Sequence, residues 1–264
     1  MPQTWPRAPT TRRPRWQWLG ALGWICLALC SPARSEEVRV AVASNFVTTL
    51  KALAVDFERN SGHRVLLSAG ATGKLYAQIK GGAPFDLLLA ADDVTPRRLE
   101  AEGHAVVGSR FTYAIGKLVL WSAQPGLVDA QAKVLQTGNF KHLAIASPKL
   151  APYGVAAEQT LTRLGLLHAL TPRLVQGESI GQTYSFVASG NAELGFVALS
   201  QLMESGIISK GSAWVVPADL YQALRQDAVL LAPGRHNAGA QALLSFLKTP
   251  AGKAVLRSFG YETE

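Results

Sequence analysis

A strand, a short polar turn and a helix follow one another from residue 38, and this order constrains the fold more than any other feature. Residues 38–43 form an apolar run rich in valine, which predicts a buried strand. Ser44 and Asn45 then supply the short polar side chains that cap helices. Apolar residues recur after them at helical spacing, at Val47, Leu50, Ala54 and Phe57.

The junction at Ser44 has two interpretations. The first backbone N–H groups of a helix have no internal acceptor and the helix dipole is positive there, so a neighbouring hydroxyl favours binding of a small anion. Taken alone, Ser44 is better explained as a residue that caps its helix. The rest of the chain has to decide between the two.

The same design is repeated immediately. Residues 64–68 predict a second strand, residues 69–73 form a loop of small residues, and a helix follows with the hydroxyl of Thr72 at its entry. If the two strands are parallel neighbours, Ser44 and Thr72 lie at one sheet edge, where open α/β sheets bind ligands. The repeat therefore makes the anion site as good an explanation of both hydroxyls as the simple cap.

Strands and helices continue to alternate, which predicts an α/β fold with parallel sheets. Residues 111–121 form a long apolar run that we interpret as a crossing into a second lobe, where the pattern restarts at residue 143. We expect residues 36–115 and 232–264 to form the first lobe and residues 116–231 the second.

The first 35 residues have the layout of a secretory signal peptide. They carry five arginines and no acidic residue, then 13 uncharged residues at 18–30, then a short stretch of small residues. The apolar run is too short to span a membrane comfortably. Removing this segment leaves 21 of the 26 basic residues against 18 acidic ones, which reduces the net charge from +8 to +3. The basic character is therefore mostly an export feature, and we expect no nucleic-acid partner.

The sequence predicts no cofactor. Both cysteines, Cys26 and Cys30, lie in the export segment, and the sequence leaves open whether Cys30 is lipidated. The five histidines are far apart, so no cluster with metal-ligand spacing is visible. A phosphate-binding loop and a dinucleotide-binding fingerprint are also missing from the sequence.

One enzyme motif is present. Residues 177–181 fit G-x-S-x-G, the pattern of a hydrolase nucleophile elbow around Ser179. Asp219 or Asp227, followed by His236, would complete a triad in the chain order of that fold. The elbow needs a strong strand before it, and residues 172–176 make a poor one. A serine hydrolase is the enzyme alternative.

In the order and spacing of its motifs, the chain resembles the periplasmic molybdate-binding proteins of ABC importers over about residues 38–261. The resemblance implies a two-lobed periplasmic binding protein fold of type II, each lobe a mixed sheet flanked by helices, with a hinge of crossing strands. It implies a periplasmic monomer, not an enzyme, that binds molybdate or tungstate in the cleft and delivers it to a membrane permease. The motifs are residues 41–45, 70–75, 83–87, 153–157, 194–197 and 259–261.

The resemblance also implies the residues that contact the anion. Ser44, with Asn45, corresponds to the first turn, and Thr72 stands where a serine is usual, so the hydroxyl is kept. Tyr153 and Ile180 correspond to positions of the second lobe that offer backbone N–H groups. Molybdenum would thus be bound only as molybdate, through these residues.

One position departs from the family pattern. Ala198 stands where some members carry a tyrosine that bonds the anion, and we hypothesise that the Tyr153 phenol replaces it. A protein of the same fold that binds sulfate, phosphate or ferric iron is the remaining alternative. An iron site would need clustered tyrosines or carboxylates, which the sequence does not show.

Overall fold

The structure is a computed structural model that describes residues 1–6, 35–204 and 206–264. The chain divides into two units, residues 1–34 and residues 35–264, and all that follows concerns the second. Of the predicted signal peptide, residues 1–35, the part from 7 to 34 with Cys26 and Cys30 lies outside the described residues. Among the described helices, none has the length and apolar character needed to span a bilayer.

Two five-stranded sheets form the framework of this unit. The first sheet has the order β2-β1-β3-β12-β4, in which β2, β1 and β3 run parallel and β12 is antiparallel to both of its neighbours. Its strands are β1 (Glu37–Ala43), β2 (Arg64–Gly70), β3 (Leu87–Leu89), β4 (Phe111–Gly116) and β12 (Leu224–Leu230).

The second sheet has the order β11-β5-β8-β6-β7, in which β8, β6 and β7 run parallel and β5 is antiparallel to both of its neighbours. Both sheets are therefore mixed, as expected. Its strands are β5 (Leu118–Ser122), β6 (Leu143–Ala146), β7 (Leu174–Gly177), β8 (Leu194–Ala198) and β11 (Ser212–Val215). A separate two-stranded ribbon joins β9 (Met203–Glu204) and β10 (Ile207–Ile208).

Helices cover both sheets. The first lobe holds α1 (Val47–Ser61), α2 (Thr72–Lys80), α3 (Val94–Ala101), α8 (Ala238–Lys248) and α9 (Pro250–Ser258), and the second holds α4 (Val134–Thr137), α5 (Pro152–Arg163), α6 (Leu167–Leu170) and α7 (Ile180–Ala188).

The two faces of the first sheet bury different helices. Leu50 of α1, Leu243 of α8 and Leu256 of α9 are fully buried in one cluster with β1. Leu75 of α2 and Leu99 of α3 are buried in another cluster with β3. Because apolar side chains alternate between the faces of a strand, the first sheet needs a helical layer on each side.

The chain crosses between the sheets twice. The predicted run 111–121 is divided at Lys117, so that β4 belongs to the first sheet and β5 to the second. The return crossing ends where β12 begins, and β12 pairs with β3 and β4. We had assigned residues 116–231 to the second lobe, and this was wrong for residues 224–230. The fully buried Ala228 and Val229 fill the first sheet between β3 and β4, which is why the strand lies there.

Candidate functional site

A small pocket lies between the two lobes. Ser44, Asn45, Thr72, Tyr153 and Ile180, the five residues expected to contact the anion, all line it. The other lining residues are Ala43, Gly70, Ala71, Ala91, Ala151 and Pro152. The lining contains no charged side chain, so the pocket suits a ligand that is bound by neutral dipoles.

In the first lobe, two parallel strand ends place two of the five residues. β1 and β2 pair in register to their last residues, Ala43 opposite Gly70. Ser44 follows β1 directly, and Thr72 begins α2 after β2. The prediction that these two hydroxyls share one sheet edge is therefore confirmed.

In the second lobe, the same arrangement recurs. β6 and β7 are parallel and end together, Ala146 opposite Gly177. The loop after β6 leads into α5, whose second residue is Tyr153, and the loop after β7 leads into α7, whose first residue is Ile180. Both helices therefore begin at the cleft, and their positive dipole ends face it.

In the pocket lining, the backbone N–H groups of Asn45, Thr72, Tyr153 and Ile180 have no acceptor among the described residues. Each lies in the first turn of its helix, where the helix itself cannot supply an acceptor. Unpaired donors in a partly buried place require a partner, and an anion can accept from all of them.

The two hydroxyls are oriented by hydrogen bonds that they accept. The backbone N–H of Gly181 donates to Ser44 Oγ across the cleft, at 3.1 Å, and the backbone N–H of Ala91 donates to Thr72 Oγ1 at 3.2 Å. A hydroxyl that accepts in this way still has its own proton to donate. Ser44 and Thr72 can therefore both donate to a ligand in the pocket.

Tyr153 and Asn45 turn their side chains away from the pocket. The Tyr153 phenol oxygen accepts from Gln226 Nε2 at 3.1 Å, and Asn45 Nδ2 donates to Gln226 Oε1 at 2.9 Å. Gln226 does not line the pocket. The hypothesis that the Tyr153 phenol replaces a tyrosine missing at Ala198 is therefore contradicted, because the phenol is taken up at the hinge. Sequence reasoning missed Gln226, since a glutamine between the charged Arg225 and Asp227 of β12 forms no motif.

Direct contacts close the lobes over this pocket. The backbone N–H of Gly73 donates to the Leu150 carbonyl oxygen at 2.9 Å, beside the Gly181–Ser44 bond. Lys74 and Glu178 form an ion pair across the same cleft, but both are about half exposed, so it contributes little to stability. The structure therefore represents the closed arrangement of the two lobes.

Ser179 does not belong to a hydrolase triad in this structure. Its Oγ accepts from the backbone N–H of Gln182 at 3.3 Å, which caps α7. Asp227 is bound instead by Arg110 and Thr112 in the first sheet. Among the described residues, no histidine or carboxylate is hydrogen-bonded to Ser179. The G-x-S-x-G match is explained by the capped start of a helix.

The buried tyrosines at the hinge predict that the folded protein loses stability at alkaline pH. Burial raises the pKa of Tyr113 and Tyr153 well above the usual 10, and that of Tyr261 to about 12. Each pKa is higher in the folded than in the unfolded chain. Their contribution is therefore complete below pH 10 and is lost as the pH rises above 10, in the case of Tyr261 between pH 10 and about 12. For Tyr261 alone, the free energy of unfolding should fall by roughly 2–3 kcal/mol over this interval.

Urea unfolding at a series of alkaline pH values measures this loss. Tyr261→Phe serves as the comparison, because it lacks the phenol and its stability should fall less steeply. A wild-type stability that stays constant up to pH 12 would contradict the prediction.

Known proteins are similar to this chain in sequence and in fold. The model of a family described as bacterial extracellular solute-binding protein matches residues 38–262. The molybdate-binding protein ModA of Azotobacter vinelandii is 56% identical over 88% of this chain and 92% of its own length. The ModA of Rhodobacter capsulatus is 48% identical over 91% of this chain and 94% of its own. The solved structure of the A. vinelandii periplasmic molybdate-binding protein superposes with a TM-score of 0.84 at 46% identity, covering 86% of this chain and 99% of that one.

Proposed function

This chain belongs to the family of bacterial extracellular solute-binding proteins, and we propose that it binds molybdate and delivers it to an ABC importer. The observation that carries the proposal is the pocket between the lobes. Its lining has hydroxyl and backbone donors from both lobes and no charged side chain. Relatives at 56% and 48% identity are molybdate-binding proteins, which supports molybdate as the ligand.

The donors act together on a doubly negative, tetrahedral ligand. Ser44 and Thr72 donate their hydroxyl protons from the first lobe, and Tyr153 and Ile180 donate backbone N–H groups from the second. Each hydrogen bond to a charged group contributes roughly 1.5–3 kcal/mol. These contributions do not simply add, because desolvation of the anion and ordering of the lobes oppose them.

Donors fixed on two rigid sheets select the ligand by size. Tungstate is nearly as large as molybdate, so we propose that it binds as well. Sulfate is smaller and would leave some donors without a partner, which costs binding energy. A sulfate- or phosphate-binding protein and a serine hydrolase acting through Ser179 are not favoured by the relatives.

Binding is coupled to closure of the cleft. An anion that contacts both lobes favours the closed form by the contacts that the open form lacks. We propose that the closed monomer is the form that a membrane permease recognises. We also propose that the chain works in the periplasm after cleavage of its signal peptide, because the A. vinelandii relative is periplasmic.

Thermal unfolding of residues 36–264 with different anions tests the ligand. Molybdate at 100 times its dissociation constant should stabilise the protein by about 2.7 kcal/mol. For a chain of this size, that raises the melting temperature by roughly 5–10 °C. Tungstate should act similarly, and sulfate and phosphate at the same concentration should have much smaller effects.

Two outcomes would contradict the proposal. Stabilisation by sulfate or phosphate without stabilisation by molybdate would assign a different anion. Hydrolysis of a model ester that is lost in Ser179→Ala would instead support the enzyme.

A further inference from the structure

Gln226 is a fully buried amide in the strand that returns from the second lobe. It is the third residue of β12, directly after the crossing. Its Oε1 accepts from Asn45 Nδ2 at 2.9 Å and from the Tyr113 hydroxyl at 3.2 Å, and its Nε2 donates to the Tyr153 phenol oxygen at 3.1 Å. Both the oxygen and the nitrogen of this amide are therefore hydrogen-bonded within the protein.

Two of these partners adjoin the anion pocket from opposite lobes. Asn45 follows Ser44 in the first lobe, and Tyr153 lies in the first turn of α5 in the second. The backbones of both residues line the pocket, while their side chains meet at Gln226. One amide therefore links the two segments that supply the donors.

A glycine makes room for this link. A Cβ atom added at Gly116, the last residue of β4, would lie 2.2 Å from the Tyr153 phenol oxygen and 2.4 Å from Gln226 Nε2. Real side chains cannot approach so closely, so any other residue at position 116 would displace the bond. The hinge is thus built around the contact between Gln226 and Tyr153.

We propose that Gln226 is a positioning residue whose hydrogen bond to Tyr153 forms on closure and holds the backbone N–H of Tyr153 over the anion. The inference rests on the proposed function, because it needs an anion around which the lobes close. Gln226 itself does not touch the ligand. Its bond to Tyr153 stabilises the closed, loaded form and therefore slows release.

Replacing Gln226 by methionine removes its bond to Tyr153 and also its bonds to Asn45 and Tyr113. Asn45 Nδ2 keeps the Tyr261 hydroxyl at 3.0 Å, and the Tyr113 hydroxyl keeps the Ala90 carbonyl oxygen at 3.0 Å. These two groups therefore each retain a partner, whereas the Tyr153 phenol loses its partner across the cleft. The variant should therefore fold.

The expected result is a dissociation constant for molybdate about 3- to 10-fold higher, which is the effect of one neutral hydrogen bond. The change should appear in the dissociation rate and not in the association rate, since the bond forms after the anion has entered. The melting temperature should fall more with saturating molybdate than without it, because the bonds to Asn45 and Tyr113 are lost in both states and the bond to Tyr153 only in the closed one. A residue with a merely structural role would lower both equally.

Further variants complete the experiment. Gly116→Ala keeps both residues but crowds Gln226 Nε2 and the Tyr153 phenol oxygen, so it breaks their bond and should reproduce the faster release. In a Tyr153→Phe background, Gln226→Met should not increase the dissociation rate further, because the bond to Tyr153 is already absent. Gln241→Met, at an exposed position on α8, is the matched control and should release molybdate like the wild type.

Stopped-flow kinetics and melting curves decide the outcome. An unchanged dissociation rate in Gln226→Met, or equal melting losses with and without molybdate, would overturn the positioning role and leave the proposed function intact. A wild-type protein that binds none of the anions would overturn the proposed function and this inference with it.

Discussion

Ser44→Ala is expected to weaken molybdate binding by roughly 10- to 100-fold, which corresponds to one hydrogen bond to a charged group. The variant removes a donor to the anion. It also removes the acceptor of the Gly181 N–H, which joins the lobes at 3.1 Å. Both losses act on the closed form, so the melting temperature without ligand should change little. Calorimetric titration of residues 36–264 measures the affinity.

Serine at an exposed position supplies the control for this variant. Ser185 lies on α7, exposed and away from the pocket, with its hydroxyl bonded to the Gly181 carbonyl oxygen. Ser185→Ala should bind molybdate like the wild type. If Ser44→Ala also binds within twofold of the wild type, the Ser44 hydroxyl does not contact the anion.

Arg110→Met is expected to reduce the free energy of unfolding by roughly 3 kcal/mol. Arg110 forms an ion pair with Asp227, whose side chain is 0% exposed. Without the guanidinium, the carboxylate keeps only the Thr112 hydroxyl, at 2.7 Å, among its side-chain partners. A buried charge without its counter-charge is strongly destabilising. Urea unfolding at neutral pH measures the effect.

An exposed arginine of the first lobe is the control, because it shows whether the loss of stability comes from the buried position of the ion pair or from the loss of a positive charge alone. Arg97 pairs with Asp93 one turn away on α3 and is 60% exposed, so Arg97→Met should change stability by at most about 0.5 kcal/mol. The double variant Arg110→Met/Asp227→Leu should recover much of the loss, since an apolar pair no longer buries a lone charge. Equal stabilities for Arg110→Met and the wild type would contradict the prediction.

The Arg110 prediction and the Gln226 proposal concern neighbouring positions on β12. Asp227 fixes β12 to β4 through Thr112 and pairs with Arg110, and Gln226, the preceding residue, reaches the hinge. The register of β12 against β4 shifts between these two residues. Such irregularities change the direction in which side chains point. This agrees with a strand in which Asp227 stabilises the sheet and Gln226 positions Tyr153.

The sheet edge of the first lobe that carries the two hydroxyls was predictable because its signals are local. A strand followed by a cap residue and an amphipathic helix is visible within about 20 residues, and its repetition around Thr72 placed both hydroxyls at one edge. The second-lobe positions, Tyr153 and Ile180, came only from the resemblance to a family. Every residue except proline has a backbone N–H group, so the sequence does not show which of these groups donate to a ligand.

The direction of a side chain could not be obtained in the same way. The Tyr153 phenol was expected in the pocket, and it lies instead against Gln226 at the hinge. Whether a phenol points to the ligand or away from it depends on what residues far along the chain, here Gly116 and Gln226, leave free. The placement of β12 in the first sheet depended likewise on its distant partners β3 and β4.

The sequence alone determined the alternation of strands and helices, the helix starts that offer unpaired N–H groups, and the two hydroxyls beside them. Those features depend on near neighbours in the chain, which local propensity and periodicity describe. Tertiary structure decided which of these helix starts meet, which sheet receives the returning strand, and which buried amide joins the lobes. These depend on contacts between residues as far apart as Asn45 and Gln226, and such contacts exist only once both sheets have formed.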